Sequence, residues 1–215
     1  MATAPDPEDL TARARIRDAA MRHFADHGFE RATIRGIAET AGVSSGLVRH
    51  HFGSKQALRD ACDEWLVRTV RRLNDRAVAD LKTGEIRDYV AAARGSMLPH
   101  ARYLARSLAE GGLGVLFDEM VKMTEEWLAD YVRANPEASQ VDVKHWGAVI
   151  TAMSLGVPIL YPHLSRAMGV DLTTSEGDLL LSQTLLHVYS NPLLTRQEAA
   201  RLRAGLEKQE RGEPR

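Results

Sequence analysis

TIRGIAETAGVSSGLVRHHFGSK, residues 33–55, is an apolar ladder that breaks twice. It stops at Ala-Gly-Val, resumes for barely two turns, and stops again at Gly-Ser-Lys. Thr33 can cap a helix with Ile34, Ile37, Ala38 and Ala41 on one face, and Gly42 ends it. Ser44 or Ser45 can cap a second helix that turns Leu47 and Val48 inward and closes on Phe52. Ser54 opens a long helix through Leu58, Cys62 and Trp65 to about Lys82, before Gly84. Upstream, Ile16, Ala19, Ala20 and Phe24 repeat at helical spacing from about Thr11, and Gly28 closes that helix.

A short helix between two others, entered through a tight glycine turn, is the helix-turn-helix pattern. The short helix needs only one outward face in a major groove and two apolar residues to anchor it. Ser44, Ser45 and Gly46 place free N–H groups and the positive helix end toward phosphates. Arg49 can reach guanine edges or the backbone, and His50 can hydrogen-bond to either. Thr33 and Arg35, at the start of the preceding helix, and Lys55, beside Gly53, are placed for DNA contact. Plain capping would also explain the serines, and a solvated face would explain Arg49 and His50. The surrounding motif favours DNA. His51 lies about 100° further round and is expected to pack or cap.

The residues AAMRHFADHGFERATIRGIAETAGVSSGLVRHHFGSKQAL resemble the DNA-binding domain of TetR-family transcriptional regulators. The resemblance rests on Ala19, Ala20, Phe24, Gly28, Thr33, Ile37, Ala38, Ala41, Gly42, Val43, Ser44, Phe52 and Lys55. It spans roughly residues 11–62, under a third of the chain. Arg49 stands where the family often has a phosphate-binding tyrosine, and Gly36 where it favours an acid. The resemblance implies a homodimer held by its last two long helices and bound to a palindromic double-stranded DNA operator. It also implies a repressor that a small effector releases, by favouring a state with the reading heads wrongly spaced.

The remainder reads as helix too, so the expected fold is all-α. A tail at 1–10 is followed by a helix-turn-helix domain at 11–62 and a helical ligand-binding and dimerisation domain at 63–210. Residues 115–133 carry two adjacent seams: Phe117, Val121, Thr124, Leu128 and Tyr131, beside Leu116, Met120, Met123 and Trp127. Residues 142–165 and 176–190 are apolar nearly all round and must be buried on most sides, which suits a dimer interface. Gly156 and Pro158 are expected to kink the first of them, and Thr195 with Glu198 forms a capping box for a last helix. Met97, Tyr103, Phe117, Met120, Met123, Trp127, Trp146 and Met153 could line an apolar effector cavity, although ordinary core packing explains each singly.

Other functions find less support. The net charge is -1, yet Arg31, Arg35, Arg49, Lys55 and Arg59 face one acid, Glu39, between residues 31 and 59. No Ser-His-Asp order, glycine-rich phosphate loop or paired-carboxylate motif points to an enzyme. Cys62, the sole cysteine, is expected to be a small buried residue. His23 and His27 have a zinc-compatible spacing but lack the metalloprotease pattern, so neither metal nor cofactor is expected. No segment reads as a signal peptide or membrane span, so a cytoplasmic protein is expected. The residues alone leave a second reading open: a dimeric helical ligand carrier with weak or no DNA binding.

Overall fold

A computed structural model describes residues 7–83, 98–136, 141–191 and 193–211. They form nine α-helices and no strand: α1 (Pro7–Arg31), α2 (Ile34–Ala41), α3 (Ser45–Phe52), α4 (Lys55–Thr83), α5 (Ala101–Ala109), α6 (Gly114–Ala134), α7 (Val143–Met168), α8 (Ser175–Ser190) and α9 (Arg196–Glu210). Met97 and Gly84 lie outside the described residues. Helix α1 begins at Pro7, ahead of its first periodic apolar residue, because proline's fixed φ and missing N–H suit a first helical position.

The caps act as their residue types dictate. The Gly36 amide donates to Thr33 Oγ1 at 3.1 Å, and the Leu47 amide donates to Ser44 Oγ at 3.1 Å. Ser44, not Ser45, is therefore the cap of α3. Gly42 takes φ 67°, so its amide reaches the Glu39 carbonyl while Val43 reaches that of Ala38. That pair of bonds ends α2 and sets the turn into α3. The Ala57 amide donates to Ser54 Oγ at 3.0 Å, opening α4.

The chain divides into two units, residues 1–170 and 171–215. The first is built on one apolar cluster. Ile16, Ala20 and Phe24 of α1 meet Ile37 of α2, Val48 and Phe52 of α3, and Leu58, Cys62 and Leu66 of α4. The same cluster continues through Tyr103 and Leu104 of α5, Leu116 of α6 and Leu155 of α7. Cys62 is fully buried, as its helical position predicts.

Helices α6 and α7 pack along each other. Thr124 and Thr151 share a 3.2 Å hydrogen bond between them, and Gly147 lets the Glu125 side chain come close. Helix α7 runs unbroken through Pro158 and Pro162, further than its apolar run suggests. By length and composition alone it could cross a membrane. Its buried residues, Gly147, Thr151 and Leu155, instead face neighbouring helices. Much of the rest is bare: Val149 is 59% exposed and Met153 60%.

In the second unit, Thr174 caps α8 and the expected box opens α9. The Glu198 carboxylate accepts from the Thr195 amide at 2.9 Å while the Glu198 amide donates to Thr195 Oγ1 at 3.2 Å. Leu172 and Gly177 are buried there, but Leu179, Leu186, Val188 and Tyr189 of α8 are exposed. The expectation that 142–165 and 176–190 are buried on most sides is not met within one chain.

Candidate nucleic-acid interface

Two helices present the site. Inward-turned Val48 and Phe52 hold α3 on the core and leave Arg49 and His50 exposed. Ser44 and Gly46 are exposed at its start, with Ser45 half-buried. Thr33 and Arg35 are exposed at the start of α2, where Arg35 Nε donates to Glu39 Oε1 at 3.0 Å along the helix. Such an exposed pair contributes little stability, so a phosphate can displace it cheaply.

Lys55 is held from within the protein. Its ammonium donates to the carbonyls of Phe29 (2.8 Å), Glu30 (3.1 Å) and Ala32 (3.2 Å), and sits 4.5 Å from the Phe29 ring centroid. An ammonium has three protons, and all are committed inside the protein. Lys55 thereby clamps the start of α4 to the carbonyls at the end of α1.

Some supports have no local sequence signal. Arg13 of α1 donates to the His51 carbonyl at 3.1 Å and lies over the Phe52 ring at 4.6 Å, bracing the end of α3. The bond spans 38 positions in sequence. His23 shares a 2.7 Å hydrogen bond with Thr40 and packs over Gly36, where an added Cβ would stand 3.0 Å from its ring. Gly36 is thus a close-packing residue as well as a missing acid. His23 and His27 stand edge to face, 5.5 Å apart, and no group of three or more metal-binding side chains occurs among the described residues.

Helix α5 ties the second half of the first unit to this head. Arg102 pairs with Asp26 at 2.9 Å, and Arg106 donates to the Ala25 carbonyl at 3.4 Å. Gly28, at φ 76°, breaks helical geometry within α1, and an added Cβ would fall 2.9 Å from the Arg106 guanidinium. The Tyr103 hydroxyl donates to the Asp63 carboxylate across to α4. Burial raises the pKa of both groups.

The expected effector residues separate into several settings. Tyr103 is core, and Phe117 and Met120 pack against the same cluster. Met123 is half-buried on α6. Trp127 is exposed and stacks on Tyr131 at 5.9 Å, which meets half-buried Trp146 edge-on at 6.1 Å. Met153 faces out from α7. Periodicity finds apolar faces without showing which face a neighbour covers, and so it groups buried Tyr103 with exposed Trp127 and Met153.

A short capped helix with an exposed basic face, supported by a second helix at a glycine turn, defines a helix-turn-helix DNA-binding protein. Residues 16–62 match the family model described as bacterial regulatory proteins, tetR family. The HTH-type transcriptional regulatory protein RaaS of Mycobacterium tuberculosis is 37% identical over 192 residues, covering 86% of this chain and 88% of that protein. The HTH-type transcriptional repressor AcnR of Corynebacterium efficiens is 33% identical over 89 residues, covering 41% and 47%. The crystal structure of a gamma-butyrolactone receptor (ArpA like protein) aligns with a TM-score of 0.53 at 26% identity, covering 72% of this chain and 81% of that one. The chain belongs to the TetR family of bacterial regulatory proteins and is a DNA-binding transcriptional regulator.

Proposed function

We propose that the protein is a cytoplasmic homodimeric repressor that binds an inverted-repeat operator and leaves it when a small apolar effector binds. Residues 11–62 form the reading head and 63–210 the effector and dimer region. The observation that carries the first part is the exposed Arg49–His50 face of α3 on a buried Val48–Phe52 base. Two such heads read successive major grooves about 34–36 Å apart. The bare apolar faces at about 142–165 and 176–190 support dimerisation through these segments.

The link from effector to operator runs through α5. Its contacts to Asp26, Ala25 and Asp63 mean that a shift of α5 is felt at the end of α1 and along α4. Tyr103, Phe117 and Met120 lie where an apolar effector could move that helix. An effector acts only by binding one arrangement more tightly than the other. The likeness to a gamma-butyrolactone receptor and to the repressor AcnR supports this reading. Deleting the gene in its host and profiling transcripts tests the direction of control. Raised transcripts from promoters that the purified protein binds are expected; lowered ones would make it an activator.

A further inference from the structure

Between the end of α1 and the start of α2 lies an open cleft of about 490 Å3, lined by His23, Asp26, His27, Arg31 and Thr33. Its one acid among these, Asp26, is already neutralised by Arg102 at 2.9 Å. Arg31 Nε donates to the His27 carbonyl at 3.1 Å, which fixes the guanidinium stem. The terminal amino groups of Arg31 make no hydrogen bond or ion pair among the described residues. Thr33 Oγ1 accepts from the Gly36 amide and keeps its own proton to donate. His23 is fixed by Thr40, and exposed His27 stands beside it. Gly36 leaves this wall without a side chain to fill it.

A phosphodiester matches these donors. A guanidinium offers paired N–H groups to two phosphate oxygens, and an imidazole N–H or a hydroxyl can take a third. The first helix of a helix-turn-helix crosses the DNA backbone, and Thr33 belongs both to that helix start and to the cleft wall. A metal ion fits less well, since one of the two imidazoles is bonded to Thr40 and a guanidinium lines the same wall.

We propose that this cleft seats one operator backbone phosphate per half-site, with Arg31 and His27 as its donors beside Thr33. It anchors the head outside the bases that α3 reads and carries no sequence information. The assignment rests on the DNA-binding function and adds two residues to it.

The test measures binding of the full-length protein to its selected operator over a salt series, for wild type, Arg31→Ala, Arg31→Lys and His27→Ala. Phosphate ethylation interference locates the contact. Arg31→Ala should weaken every duplex by the same factor and reduce the salt slope by about 0.9, one phosphate's worth. Arg31→Lys should restore most of the slope. Ethylating one phosphate per half-site should impair wild type and leave Arg31→Ala indifferent. A wild-type slope in folded Arg31→Ala, or an altered site preference, overturns the proposal. So does zinc that raises the melting temperature of wild type but not of His27→Ala. Failure of wild type to bind any duplex would instead defeat the DNA-binding function itself, so the two failures are distinct.

Discussion

The head and the outer face of α7 put similar apolar residues to opposite use. Val48 of α3 is 1% exposed, whereas Val149 of α7 is 59% exposed, and both sit on helices inside the same unit. The head closes its core within one chain: eight-residue α2 and α3 are too short to stand alone, and α1 and α4 cover them. Helix α7 uses only its Gly147–Thr151–Leu155 side in this way. The lesson is that apolar pattern reports the need for cover but not whether cover comes from the same chain or another.

The sharpest way to break that comparison is Val149→Glu. Because the position is exposed in one chain, the variant should fold with stability within about 0.5 kcal/mol of wild type. In a dimer seam the same carboxylate would be buried and unpaired, at about 3–5 kcal/mol. Sedimentation should show monomers and operator affinity should collapse. An unchanged mass would mean that this face is not the interface. Lys55→Met probes the head. Losing charge-assisted bonds to three carbonyls should cost about 2–3 kcal/mol in urea unfolding. The salt slope of DNA binding should stay as in wild type. A smaller slope at unchanged stability would return Lys55 to the phosphate role.

Much of the head was legible because its signals are local. Thr33, Ser44, Ser54 and Gly42 cap within three or four residues of themselves, so spacing alone places their helices. The outward position of Arg49 and His50 follows from inward Leu47 and Val48 by helical geometry. The clamp made by Lys55 is not legible, because its acceptors lie 23 to 26 positions away and no local pattern announces them. The Tyr103–Asp63 and Arg102–Asp26 contacts are invisible for the same reason. The α6 seams identified buried Leu116 and Leu128 correctly but gave Trp127, on the same stripe as Leu116, no sign of its exposure.

Smaller effects refine the comparison. Thr33→Ala removes the cap of α2 and should cost about 1 kcal/mol, with weaker binding to all duplexes. Stability unchanged in thermal melts would mean that water caps α2 as well. The pH dependence is weaker still. Burial lowers the pKa of His100, which meets Trp65 edge-on, and of His23. The folded state therefore resists protonation, so this contribution is complete above the ordinary value of 6.5 and declines as pH falls below it. Asp63, raised by burial, acts in the opposite sense at lower pH. Unfolding midpoints should fall between about pH 7 and pH 5, and His100→Gln should flatten that fall. An equally steep fall in the variant would assign it elsewhere.

The most direct test of the central claim is selection of bound duplexes from a random library, run in parallel on wild type and Arg49→Ala. The account predicts an inverted repeat from wild type, with half-site centres about one helical turn apart, degraded or lost in the variant. Enrichment of a single unrepeated site, or the same repeat at full strength from Arg49→Ala, would contradict a dimeric reader that works through the outward face of α3.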